Sequence, residues 1–148
     1  MGKDLKSLIR FSKWGVDEKR RALGEMLRRE AEVVEAQDQL EAELRHEQQV
    51  AAADMEGIGM VYSAYAHRYM ARREDLAQTL ANVQGLIAKA QDELAEAYRE
   101  LKTYEISQAN REKRQREEEG RRDQAVLDEI GLNLHRRRQL AETREREE

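Results

Sequence analysis

Apolar residues in the second half of the chain recur at alternating spacings of four and three residues. The repeat passes through twelve positions, ten of them apolar: Tyr69, Arg73, Leu76, Leu80, Val83, Ile87, Ala90, Leu94, Ala97, Leu101, Tyr104 and Gln108. An average spacing of 3.5 residues keeps one face of a helix against a partner helix that winds around it. The pattern therefore predicts a long helix with a coiled-coil seam, the row of residues that packs between two helices.

The first half carries a looser version of the same repeat. Its apolar members are Ile9, Val16, Leu23, Met26, Val33, Leu40, Leu44 and Ala51. Five polar residues interrupt it, namely Ser12, Lys19, Glu30, Gln37 and Glu47. Polar residues in a seam reduce stability but fix the register of the two helices. This half predicts a helix that pairs with the one in the second half.

A bend is predicted between the two patterned halves, in the stretch ADMEGIGMVYS. Gly57 and Gly59 are the only glycines that lie within three residues of each other, and closely spaced glycines favour turns over helix. We expect residues 1–148 to form a single elongated helical hairpin, with helix one at about 4–54, the bend at about 55–60 and helix two at about 61–145.

The distribution of charge predicts that the two helices pair within one chain. Residues 1–29 carry nine Lys or Arg against four Asp or Glu, whereas residues 30–56 carry one against nine. An antiparallel hairpin brings the acidic part near Arg68, Arg72 and Arg73, and the basic part near Asp92, Glu93, Glu96, Glu100 and Glu105. A parallel dimer would place like charges together. We therefore expect the isolated protein to be a monomer.

Helix two is longer than helix one, so its C-terminal part is predicted to extend beyond the hairpin. Five polar residues continue the seam positions after Tyr104: Gln108, Arg111, Gln115, Glu118 and Arg122. A new apolar stripe then begins out of phase, formed by Val126 or Leu127, then Ile130 and Leu134. An apolar face on a helix that nothing covers indicates a partner from another molecule. A frayed tail and a self-associating tail are the alternatives.

The composition is typical of long helices and leaves little material for a compact core. The 148 residues include 39% charged residues and no Pro or Cys, and the mean hydropathy is −0.98. We predict an all-α fold, a long antiparallel two-helix coiled-coil hairpin with an extended C-terminal helical overhang. No stretch is apolar enough for a membrane span or a signal peptide, so cytoplasmic location is expected.

Several classes of site fail on their spacing. The stretch HEQQV has Val50 where a zinc-protease helix needs its second histidine, and we expect His46, His67 and His135 to be surface residues rather than metal ligands. No Gly-Lys-Ser/Thr follows the glycines, so we expect neither a nucleotide nor another cofactor or small-molecule substrate. Residues 111–148 hold eleven basic and eleven acidic residues, which disfavours nucleic-acid binding.

The tail motif RRDQAVLDE resembles the C-terminal signature of the FliJ family of flagellar export proteins. The matching residues are Arg122, Asp123, Gln124, Leu127, Asp128 and Glu129, with Asp123 where the family more often has Glu. The front, LIRFSKWGVDEKRRALGEML, and the start of helix two, YSAYAHRYMARREDLAQTL, are also similar to the family. The injectisome counterpart, the YscO family, is similar in form.

The resemblance implies a coupling and escort component of flagellar type III export rather than an enzyme. Its implied partners are the hexameric export ATPase, the cytoplasmic domain of the membrane export gate, and export chaperones, at the inner face of the cell membrane. The implied ATPase-facing end joins residues from the front and the tail of the chain: Leu5, Leu8, Ile9, Phe11, Trp14, Arg122, Gln124, Leu127, Asp128, Glu129, Ile130 and Leu134. Asp128 and Glu129 are about 100° apart on a helix and cannot act as a paired acid and base, so no catalytic residue is expected.

The resemblance also implies a gate contact early in helix two, for which Tyr65 and Tyr69 are the nearest match. Tyr69 lies on the seam, so a role in the core competes with the contact. Tyr65 lies off the seam and is expected to be exposed. Trp14 has a structural alternative as a cap over the end of the coiled coil. For the chain as a whole, the alternative to an export stalk is a structural coiled-coil spacer or scaffold.

Overall fold

Two long helices form the structure. A computed structural model describes residues 5–53 and 59–147, with side chains described for all of these except 59–61. Helix α1 spans Lys6–Ala53 and helix α2 spans Gly59–Glu147. No strand occurs within these ranges, and the predicted all-α class is confirmed. The bend predicted at 55–60 lies mostly outside the described residues.

The sequence explains both helices. No proline occurs anywhere in the chain, so no residue inside a helix lacks its backbone donor or clashes with the preceding turn. The first backbone bond of α1 is donated by the Ile9 amide to the Leu5 carbonyl at 2.8 Å. Arg144 and Arg146 lie in the last turn of α2, where positive charge interacts favourably with the helix dipole. No described helix combines the length and the apolar character that a membrane span requires.

The chain divides into two compact units. The hairpin unit is Arg10–Leu101, and the tail unit consists of the residues up to Ile9 together with those from Lys102 onward.

In the hairpin unit, α1 and α2 pack antiparallel. Gln48 donates a hydrogen bond to the Tyr62 hydroxyl at 3.3 Å, and Gln84 donates one to Glu30 at 3.2 Å. Lys19 donates to Glu93 at 3.0 Å. Residue numbers fall along α1 as they rise along α2, which defines the antiparallel pairing and confirms the predicted hairpin.

The core of the hairpin unit is the predicted seam. The buried apolar residues all occupy seam positions read from the sequence: Val16, Val33, Leu76, Val83, Ile87 and Leu101. Of the other seam positions of α2, only Arg73 is exposed. On α1, the polar residues Lys19, Glu30 and Gln37 are half-buried and Glu47 is exposed. Burial of apolar side chains stabilises the unit at about 25 cal/mol per Å² of area removed from water.

Charge pairs follow the predicted register. The Lys19 and Glu93 side chains are 45% and 44% exposed, so their ion pair contributes more to register than to stability. The hydrogen bond and the charge of Lys19 hold the pKa of Glu93 below its usual range. Next to this pair along α1, Arg20 donates a hydrogen bond to the Tyr98 hydroxyl at 2.9 Å, and its guanidinium lies 5.5 Å from the ring centroid.

The acidic part of α1 meets a basic residue of α2 in a groove of about 270 Å³. The groove is lined by Gln37, Asp38, Leu40, Glu41, Tyr69, Arg73 and Ala77. Arg73 therefore lies beside Asp38 and Glu41, as the distribution of charge predicts. Because Arg73 occupies a seam position yet remains exposed, its long side chain keeps the guanidinium in water at the edge of the helix pair.

In the tail unit, side chains of α2 are covered only near its start. Leu5 and Ile9 are half-buried, as are Tyr104, Glu105, Ser107 and Gln108. Every residue from Ala109 to Glu147 is exposed, and we call this segment the uncovered helix. The seam therefore ends at Gln108, as the run of polar seam positions predicts.

Candidate partner-binding surfaces

The apolar stripe of the uncovered helix consists of Val126, Leu127, Ile130 and Leu134. These side chains are between 50% and 61% exposed. At 100° per residue they occupy an arc of about 100° on one side of α2. Four large apolar residues on one exposed side form a surface that another molecule can bury.

Other apolar residues of the uncovered helix provide reference points for the stripe. Leu132 is 57% exposed and lies on the opposite side of the helix, while Leu140 is 64% exposed and lies at the edge of the stripe. Leu132 matches the residue type and exposure of the stripe residues without belonging to it.

Polar residues beside the stripe interact along the helix surface. Arg122 pairs with Glu118 one turn earlier, and Gln124 donates a hydrogen bond to Asp128 at 2.9 Å. Such pairs contribute only a few tenths of a kcal/mol each. Arg122, Gln124 and Asp128, all predicted partner contacts, are exposed. Glu129 is exposed as well and follows Asp128 directly on the helix.

At the front of the chain, α1 presents an exposed aromatic pair. The Phe11 and Trp14 rings are tilted by 32° with centroids 6.0 Å apart. Their side chains are 67% and 59% exposed, because both positions lie away from the seam that passes through Ser12 and Val16. The exposure of Trp14 is inconsistent with its alternative as a cap over the end of the coiled coil.

The front residues of the tail unit form a different surface from the stripe. Leu5 and Ile9 are half-buried, and Leu8 is 38% exposed. The stripe starts 18 residues after Gln108, the last half-buried residue of α2, or about 27 Å farther along the helix axis. Leu5 and Ile9 therefore do not adjoin Leu127 in one continuous patch.

Tyrosines near the start of α2 depart from the predicted exposure. Tyr62, Tyr65 and Tyr69 are all half-buried, so the expectation that Tyr65 is exposed was wrong. The Tyr65 hydroxyl is shielded from solvent and has no hydrogen-bond partner among the described residues. Loss of solvent contact, followed by the charges of Glu43 and Glu47, raises the pKa of Tyr65.

The seam explains why Tyr65 is covered. Stepping back by three residues from Tyr69 places Ala66 on the seam, and Ala66 is too small to fill the space between two helices. The neighbouring Tyr65 ring is long enough to cover this position from the flank of the seam. Next to Tyr69, Met70 is 60% exposed, which sequence reasoning did not single out because a single apolar residue gives no periodic signal.

Ligand-binding side chains are scattered rather than clustered. His46, His67 and His135 are exposed, as expected for surface histidines. Within the described ranges, no group of three or more His, Asp or Glu residues is arranged to hold a metal ion. The chemistry available at these surfaces is apolar contact, aromatic contact and charge pairing with another macromolecule.

Comparisons with known proteins place these surfaces in a family. A search of curated proteins finds no match, and a search of solved structures finds none either. The family model described as flagellar FliJ protein matches residues 1–140, a range that includes both helices and the whole apolar stripe. The chain therefore belongs to the FliJ family of flagellar proteins.

Proposed function

We propose that this protein is the stalk-like coupling and escort component of flagellar type III export, seated by its tail in the export ATPase hexamer. Membership of the FliJ family makes it a protein related to flagellar type III export. One observation carries the finer assignment: an apolar stripe lies on a helix in which every residue from Ala109 to Glu147 is exposed. A structural spacer gains nothing from such a stripe, whereas a stalk needs it to hold a ring.

The stripe is the principal ATPase contact in this proposal. Leu127 and Ile130, which are 61% and 50% exposed, supply apolar area, and Arg122, Gln124, Asp128 and Glu129 supply polar contacts at its edge. Leu134 extends the apolar contact by one further turn. Leu5, Leu8, Ile9, Phe11 and Trp14 form a second ATPase-facing surface at the front of the chain.

The gate contact belongs to the start of α2. Tyr65 and Tyr69 bind the cytoplasmic domain of the export gate through the parts of their rings that remain exposed, and export chaperones are escorted to the same apparatus. In this role the protein is a cytoplasmic component at the inner face of the cell membrane. It is not an enzyme, and it requires no cofactor, nucleic acid or small-molecule substrate.

The ATPase contact is tested by the double variant Leu127→Ala with Ile130→Ala. Each truncation removes apolar contact worth roughly 1 to 3 kcal/mol, so affinity for the export ATPase is expected to fall about tenfold or more. Stimulation of ATP hydrolysis is expected to fall with it. The measurements are a binding titration, an ATPase titration and a thermal melt of each free protein.

Leu132→Ala is the matched control, because Leu132 is 57% exposed and lies on the other side of the same helix. It is expected to bind and stimulate the ATPase like the wild type. Equal loss in Leu132→Ala would show that the stripe is not the contact. A double variant that melts early but binds normally would show that the stripe stabilises its own chain.

A further inference from the structure

Two glycines interrupt the uncovered helix on either side of the stripe's N-terminal part. At Gly120 and Gly131 an added Cβ atom would meet nothing within 4 Å, so nothing in the chain itself requires glycine there. Glycine in a helix interior costs about 0.5–1 kcal/mol relative to alanine because it loses more conformational freedom. The uncovered helix therefore has two intrinsically weak points.

The segment between these glycines, residues 121–130, is short for an isolated helix. Helices below about 12–15 residues are marginal in water without tertiary packing, and all ten residues of this segment are exposed. The pairs that involve its side chains, Arg122 with Glu118 and Gln124 with Asp128, are local and exposed. By contrast, the same helix between Leu76 and Leu101 is held by a buried seam.

We propose that residues 121–130 are only partly helical in the free protein and become fully helical when a partner covers the stripe. Gly120 and Gly131 set the ordering cost, which lowers the affinity and favours release. The ordering of the free chain does not depend on the identity of the partner, whereas the coupling to the export ATPase rests on the proposed function. The apparent dissociation constant is then the intrinsic one divided by the helical fraction of the segment.

Hydrogen exchange of the full-length free protein tests the first part. Amides of residues 121–130 are expected to exchange about 100-fold or more faster than those of the buried seam near Val83 and Ile87, since local opening needs less free energy than opening of the hairpin. Protection in 121–130 equal to that of the seam overturns the proposal.

The double variant Gly120→Ala with Gly131→Ala tests the coupling. Each alanine is expected to shift the local helix equilibrium about two- to fivefold, so exchange in 121–130 slows and affinity for the export ATPase rises about fourfold or more. Gly85→Ala is the control, because Gly85 is also in open space but lies in the hairpin unit. It is expected to stabilise the hairpin without changing the affinity.

Two outcomes of the binding experiment separate this proposal from others. Both glycines lie near the side of the helix that carries Leu127, seven residues before it and four after it. Weaker binding of the alanine variant, with unchanged exchange in the free protein, would show that the glycines allow close approach of the partner, and it overturns the proposal. If the wild type does not bind the ATPase, the proposed function fails, and the exchange comparison still decides the ordering.

Discussion

The hairpin unit and the uncovered helix have similar building materials and opposite relations to water. Both are rich in Glu, Arg, Gln, Ala and Leu, and α2 contributes to both. In the hairpin unit the apolar residues form a buried row, with Val83 only 3% exposed. In the uncovered helix the stripe residue Leu127 is 61% exposed. The difference shows that the same helical composition serves folding where a second helix is present and recognition where none is.

The largest expected effect comes from a charge placed in the seam. Ile87 is 8% exposed, and Ile87→Asp buries a carboxylate without a partner at a cost of several kcal/mol. We expect the hairpin to melt at a much lower temperature in circular dichroism. Leu80→Asp, at another seam position, should have the same direction.

Ile130→Asp is the corresponding change in the uncovered helix, where the side chain is 50% exposed. Its hairpin is expected to melt at the wild-type temperature. Similar melting of the Ile87→Asp protein and the wild type would mean that the seam does not hold the hairpin together.

A matched pair of leucines on α2 gives the next largest effect. Leu101 is 7% exposed and Leu127 is 61% exposed. Leu101→Ala is expected to lower the free energy of unfolding by about 2 kcal/mol or more, because it leaves a cavity beside the partner helix. Leu127→Ala should change it by no more than about 0.5 kcal/mol. Urea unfolding of both variants provides the measurement, and equal losses would contradict the distinction between the two regions.

A smaller effect depends on pH. The bond and charge from Lys19 lower the pKa of Glu93 from the usual value of 4.5, so this carboxylate stabilises the fold above that pH and its contribution is lost as the pH falls through the lowered pKa. Glu93→Gln is expected to melt slightly below the wild type at pH 7, and the two proteins should converge in acid. Lys19→Met should reproduce this behaviour. A difference that persists unchanged at low pH would show that the ion pair is not its source.

The smallest expected effect concerns the covered tyrosine. Because the Tyr65 hydroxyl lacks a partner among the described residues, Tyr65→Phe removes a shielded polar group and loses no hydrogen bond seen there. The variant is expected to melt at the same temperature as the wild type or slightly higher. Since burial raises the pKa of Tyr65 above 10.0, the variant should also resist unfolding at alkaline pH better than the wild type. Lower stability at neutral pH would indicate that the hydroxyl does form a bond.

The seam could be predicted because a coiled coil is almost a one-dimensional structure. Each residue's environment depends on its place in a 3.5-residue repeat, and Leu76, Val83 and Ile87 are buried as that repeat requires. The exposed face of the stripe followed from the same reasoning, since helix two continues past the start of helix one. The identity of a partner did not follow from periodicity and came from resemblance to a family.

Departures from the prediction arise where side-chain size matters as well as position. Tyr65 lies beside the seam rather than on it, yet it is half-buried, because Ala66 leaves space that a larger neighbour can cover. Glu47 is exposed although it occupies a seam position, which a charged residue near the end of a helix can achieve at little cost. A binary pattern of apolar and polar residues contains neither effect.

The contacts across the hairpin also imply an order of folding. Gln48 and Tyr62 are separated by 14 residues in the chain, whereas Lys19 and Glu93 are separated by 74. Closing the longer loop first costs more chain entropy, by about 0.6 kcal/mol for each doubling of loop length. Pairing that starts at Gln48 and Tyr62 and proceeds residue by residue avoids this cost, so the hairpin is expected to close like a zipper toward the Arg20 and Tyr98 contact, which forms last.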